Sequence, residues 1–217
     1  MLRVKFPVTQ WPGWNIPELC LTGTAAAEVT VIVDPASTAD YGSDSPVFRG
    51  FGSLQGSETV LALKFAMRED LIDALKEESR VYSGALHSLQ GSVIPRCFGL
   101  YVGVGEEDQQ IGCLVLEHFG ECIQQPFSFL PLDLKIRIMD SIASIHRQGL
   151  LHGDFAERNV LVQDGDVRII DFDQTEWGHD CPVLNFCPED HLPDISDLRC
   201  NYLLDVIEKL EIFSSGT

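Results

Sequence analysis

The stretch LLHGDFAERNVLVQDGDVRIIDFDQ, from Leu150 to Gln174, decides how this chain is read. Asp154, Asp164, Asp166, Asp171 and Asp173 stand there among apolar runs that a fold would bury. QDGD separates NVLV from VRII. An Asp-Gly between two alternating apolar runs is the strongest short-range signal for a hairpin, with a type I′ turn. Asn159 then opens one strand and Asp171 closes its partner, so the hairpin sets these two residues side by side. Asp154 lies five residues before Asn159 in the preceding loop and adds a third oxygen-bearing side chain. Solvated turns account for Asp164 and Asp166. They account poorly for Asp171, which ends VRII and precedes Phe172. Asn and Asp oxygens suit a hard cation, and Mg2+ takes few protein carboxylates while completing its shell with phosphate and water. Asp154 is then left to orient a hydroxyl or take its proton.

The rest of the composition narrows the partners. The chain has 217 residues, 45% of them hydrophobic, enough for a sizeable core in one domain or two small lobes. Its 15 Lys and Arg face 33 Asp and Glu, a formal charge of −18, and no basic stripe stands ready to displace counterions. Nucleic acid and anionic membrane are therefore not expected as partners. Seven scattered cysteines without a C-x-x-C read as reduced thiols. MLRVKFPVTQWPGW has no continuous apolar core of the secretory kind, and no run is long enough to span a bilayer. A cytoplasmic protein is expected.

Along the chain, residues 1–20 read as an extended lead-in with three Pro and two Trp. EVTVIVD (Glu28–Asp34) and TVLALKFA (Thr59–Ala66) read as strands, and Pro35–Pro46 as a loop. Arg49–Ser57, RGFGSLQGS, reads as a turn between strands. EDLIDALKEESRVYSGALHSL reads as a helix with Leu71, Leu75, Glu78, Tyr82 and Leu86 near one face, stopped by Gly91 and Pro95. QIGCLVLEHF reads as a buried strand. LDLKIRIMDSIASIHRQG reads as a helix that turns Ile138, Met139, Ile142 and Ile145 inward, with Gly149 as its cap. DISDLRCNYLLDVIEKLEIF reads as a last helix, started by Asp194 or Ser196. The fold class expected is α+β in two parts, with a joint near Glu117–Gly120.

HGDFAERN followed by IDFD resembles the catalytic loop H-x-D-x-x-x-x-N and the metal-binding D-F-G of the protein-kinase superfamily. The Gly after His152 is more typical of the aminoglycoside phosphotransferase and choline-kinase branch, and of small fungal kinase-like proteins. The resemblance implies a bilobal kinase-like fold with a β-rich N-lobe over residues 21–117 and a shortened, mostly helical C-lobe over residues 118–217. Residues 1–20 form an extension to it. It implies ATP and Mg2+, with Asn159 and Asp171 as metal ligands and Asp154 as catalytic base. It also implies a Lys on an upstream strand and a Glu on a helix. Lys64 in VLALKFA fits the first. Glu78, on the inward helix face, is chosen for the second, with Glu77 in reserve. Family logic puts Leu116 at the back of an adenine pocket, with Glu117 and Phe119 meeting the purine edge through backbone groups. Of a Gly-rich phosphate loop only Gly23 remains, followed by Ala25, Ala26 and Ala27. Gly153 replaces the Arg of H-R-D, Asp173 replaces the Gly of D-F-G, and no A-P-E follows.

The function implied is ATP-Mg2+-dependent transfer of the γ-phosphate to a hydroxyl acceptor, protein or small molecule. The alternative is a pseudokinase, a nucleotide-binding or scaffold module without turnover, favoured by the degraded Gly loop. Outside this frame, His179, Cys181, Cys187 and His191 are zinc-ligand types, but their spacing fits no common finger.

Overall fold

Short alternating runs carry the first part of the chain into strands, each with one face inward. The computed structural model describes residues 1–7, 18–23, 28–37, 45–54, 56–105, 108–179, 181 and 200–212. The chain divides into two compact units, Met1–Gly84 with Arg96–His118, and Ala85–Pro95 with Phe119–Thr217. The first unit ends at His118 and the second resumes at Phe119. The return of Ala85–Pro95 to the second unit has no counterpart in the sequence reading.

In the first unit, β1 (Leu2–Lys5), β2 (Glu18–Gly23), β3 (Val29–Val33), β4 (Val47–Leu54), β5 (Ser57–Ala66), β6 (Cys97–Val104) and β7 (Gln110–Glu117) close a barrel. Their order around it is β1-β2-β6-β7-β5-β4-β3. The beginning of the chain thus corrects the expected lead-in. β1 runs antiparallel to β2 and parallel to β3, and joins what would otherwise be two open edges. Leu2 and Val4 are fully buried while Lys5 is exposed, the period-2 pattern of a half-buried strand. Inside, the rings of Phe6, Phe48 and Phe65 meet at centroid distances of 5.8–5.9 Å.

Arg49–Ser57 also differs from its reading as a turn, because most of it is β4. Gly56, at φ 84°, does turn the chain into β5, but the other two glycines are there for space: a Cβ on Gly50 would come within 2.6 Å of Val31 Cγ1, and one on Gly52 within 3.1 Å of Leu61 Cδ1. A glycine whose missing side chain makes room for a neighbouring strand looks, in sequence, like a glycine that turns the chain. β6 lacked a clear alternating signal and was not anticipated. The residues Thr24–Ala27 of the remnant phosphate loop lie outside the described residues.

α1 (Glu69–Ser83) packs on β5, β6 and β7 through Ile72, Leu75, Glu78, Val81 and Tyr82. It ends at Gly84, earlier than expected, so Leu86 belongs to the second unit.

The second unit is built around α2 (Leu132–His146), which buries Ile138, Met139, Ile142 and Ile145. β8 (Glu121–Cys122), β10 (Val160–Gln163) and β11 (Asp166–Ile169) make a three-stranded sheet. β9 (Leu150–Leu151) pairs with β12 (Glu176–Trp177). α3 (Asn201–Leu210) follows, capped by Cys200, and packs on α2. Asp194 and Ser196, its expected start signals, lie outside the described residues. No helix among the described residues is long and apolar enough to cross a membrane.

Candidate active site

The hairpin forms through the residues that signal it. Asp164 and Gly165 both take positive φ, 52° and 87°, which a type I′ turn requires. The register pairs Val160 with Ile169, and the Ile170 N–H donates to the Asn159 carbonyl at 3.0 Å. Asp171 therefore begins one residue beyond the position opposite Asn159. Its φ of 71° puts it in the left-handed region, where Asp is tolerated better than most residues. A non-glycine residue held there at a strand end is the kind of backbone strain that clusters at functional sites.

Asp154 is held from two sides. One Arg158 Nη2 donates to Oδ1 at 2.6 Å and to Oδ2 at 2.7 Å. Asn159 Nδ2 donates to Oδ2 at 3.0 Å and to the Asp154 carbonyl at 2.8 Å. With its amide nitrogen committed to Asp154, buried Asn159 has its carbonyl oxygen Oδ1 as the atom available to a cation. Arg158 is thus part of the site, a role the sequence reading did not assign; its i,i+4 spacing to Asp154 is the signal that would have found it.

His152 lies under the loop, fully buried, with Nε2–H donating to the Ile170 carbonyl at 2.9 Å and its ring 5.1 Å from that of Phe172. Burial pushes its pKa below the ordinary histidine value, against the raising effects of that hydrogen bond and of Asp171, Asp154 and Asp173. It braces the chain between β9 and Asp171. Gly153 has φ 77°, and a Cβ there would overlap the Gln174 carbonyl oxygen. No Arg can occupy this position, which explains the departure from H-R-D by backbone geometry.

In the first unit, Lys64 on β5 meets Glu78 on α1, with Nζ–Oε2 at 2.8 Å. The Glu78 side chain is 1% exposed and that of Lys64 15%. Glu77, one helical step away, pairs instead with Arg80 on the exposed face. Leu116 is buried at the end of β7. The Glu117 N–H donates to the Arg96 carbonyl at 2.8 Å and the His118 N–H to the Val60 carbonyl at 3.2 Å, so both amide donors of this stretch are engaged. Gly23 ends β2 opposite Tyr101, whose ring fills the space a side chain would need. Phe119, in the second unit, lies under the Arg168 guanidinium at 4.3 Å.

A cavity of about 550 Å³ in the second unit is lined by Gly153, Phe155, Glu176, Tyr202, Asp205 and Glu208, among others. Asp154 is not among its lining residues, so the cavity is not assigned to the reacting hydroxyl.

Residues 133–181 match the family model of the RIO domain, an atypical kinase-like domain. The match runs from α2 through Asp154, Asn159 and Asp171, and covers fewer than a quarter of the 217 residues. It supports likeness to the kinase-like superfamily, in which ATP is the phosphate donor. It does not carry the finer likeness to the aminoglycoside or fungal branch. No curated protein matches the chain.

Proposed function

We propose that this chain is an ATP- and Mg2+-dependent phosphotransferase acting on a hydroxyl. The observation that carries the reading is the Asp154–Arg158–Asn159 cluster beside the hairpin end where Asp171 sits in a left-handed conformation. Asn159 Oδ1 and the Asp171 carboxylate are the oxygen donors suited to Mg2+. Mg2+, when bound with ATP, neutralises charge on the phosphate oxygens. Lys64, held by Glu78, is the cation for the α- and β-phosphates. Asp154 accepts the hydroxyl proton as the acceptor oxygen bonds to the γ-phosphorus and the bond to the bridging β–γ oxygen breaks. Arg158 and Asn159 keep the Asp154 carboxylate fixed in orientation while it does so.

The experiment is ATP turnover by the purified wild type with and without Mg2+, beside Asp171→Ala. Mg2+-dependent turnover that Asp171→Ala abolishes is expected. Equal metal dependence in the variant removes the metal assignment. The pseudokinase reading is favoured by the packing of Gly23 against Tyr101, which leaves no room there for a phosphate-covering side chain. A Mg2+-dependent thermal shift with ATP but no turnover would select it.

A further inference from the structure

Behind the catalytic loop, four metal-ligating side chains come together from three separate segments. His146 ends α2, His179 and Cys181 follow β12, and Cys200 caps α3. One ligand atom from each lies within 4.8 Å of all the others. Cys200 Sγ is 3.4 Å from His146 Nε2 and 3.6 Å from His179 Nε2. His146, Cys181 and Cys200 are buried to 1%, 3% and 2% exposure.

These distances have a specific meaning for zinc. With bonds of ~2.3 Å to sulfur and ~2.0–2.1 Å to imidazole nitrogen, the S···N edge of a tetrahedral site is about 3.5 Å. The two contacts also fit hydrogen bonds, the thiol donating to one imidazole and the N–H of the other donating to sulfur, so the zinc reading rests on all four ligand atoms meeting at one point. Two thiolates also cancel the charge of Zn2+, so a site of this composition is neutral and suits burial. The other nitrogen of His146, Nδ1, is buried and makes no hydrogen bond among the described residues. With Nε2 on a metal, Nδ1 carries the proton.

We propose that His146, His179, Cys181 and Cys200 form a structural Zn2+ site. Four protein ligands leave no open position, which distinguishes it from a catalytic zinc. The sequence offered His179, Cys181, Cys187 and His191 as zinc-ligand types at a spacing that fits no common finger; Cys187 and His191 lie outside the described residues, and His179 and Cys181 meet His146 and Cys200. The metal pins the end of α2, the segment after β12 and the start of α3. Tyr202, stacked on His146 at 5.4 Å, accepts the backbone N–H of His152 at 3.2 Å. The site thereby supports the loop that carries Asp154. It stands independently of the phosphotransferase reading, since its test reads metal and thiols.

The full chain, produced with zinc supplementation and purified without chelator, should carry about one zinc per chain. Added Co2+ should give tetrahedral d–d bands with thiolate-to-cobalt charge transfer. Alkylation mapped by mass spectrometry should find Cys181 and Cys200 unreactive until a chelator is added. Exposed Cys20 should react throughout and Cys113, buried in the barrel, should stay unreactive in both states. His179→Ala, at a half-buried position, should bring zinc content close to zero. Less than about a tenth of an equivalent of zinc with no cobalt spectrum overturns the proposal. So does chelator-dependent exposure of Cys187 in place of Cys181, or full zinc content in folded His179→Ala. Should that variant fail to fold, the thiol map of the wild type decides.

Discussion

The Lys64–Glu78 pair and the Asp154–Arg158–Asn159 cluster are both charged groups fixed by hydrogen bonds, on opposite kinds of backbone. The first stands on regular elements, a strand of the barrel and the helix packed against it, and Glu78 is almost fully buried. Its ammonium and carboxylate are held by packing. The second stands on a loop whose course is set by single residues in unusual conformations, Gly153 at φ 77° and Asp171 at φ 71°. Arg158 there is 66% exposed, so its pairing with Asp154 contributes little to stability and serves orientation. Losing the first pair should therefore be felt in folding as well as in nucleotide binding, losing the second mainly in rate.

The largest expected effect is on the loop. Asp154→Asn keeps the shape but removes the base and one of the two oxygens that accept from Arg158, and should lower turnover by ~10²–10⁴. ATP affinity by calorimetry should change far less. Equal turnover in the two proteins would end the catalytic reading and leave the pseudokinase one.

Next comes the buried pair. Lys64→Met strands a carboxylate that is 1% exposed and should destabilise the chain by ~3–5 kcal/mol. The double change Lys64→Met, Glu78→Leu should recover most of that, because a well-packed apolar pair replaces a buried ion pair at little cost. Urea denaturation of the three proteins checks it. A double variant no more stable than the single one would mean that Glu78 is not held in place by Lys64.

Gly153→Ala should cost at least ~1–2 kcal/mol from the left-handed backbone alone, with the overlap on Gln174 added. A urea midpoint unchanged from wild type would show that the loop is less constrained than the barrel pair and can rearrange.

The smallest effect is on pH dependence. The folded-state pKa of His152 is lowered, so the unfolded chain takes up the proton first, near the ordinary value of about 6.5. Its contribution is fully present above that pH, is lost as pH falls from there to the depressed folded value, and is flat below. The slope in that window is at most about 1.4 kcal/mol per pH unit. His152→Gln should flatten the melting temperature against pH below about 6.5 relative to wild type. Parallel curves would remove His152 as the titrating group.

What could be read from residues alone was local. The Asp-Gly turn, the adjacency of Asn159 and Asp171, the inward face of α2 and the choice of residue on α1 all follow from periods of two or 3.6, which neighbouring residues enforce on each other. Tertiary structure decided the rest. β1 closes the barrel because β2 and β3 both present an edge to it, and nothing in LRVK announces that. Gly50 and Gly52 are strand residues because Val31 and Leu61 occupy the space beside them. Gly153 is glycine because Gln174, from the other side of the hairpin, lies against it. His146 and Cys200 become neighbours only when α3 docks on α2. Side-chain spacing along a chain constrains partners within a few residues. Contacts between segments dozens of residues apart depend on which apolar faces find each other, and that choice is made by the whole fold.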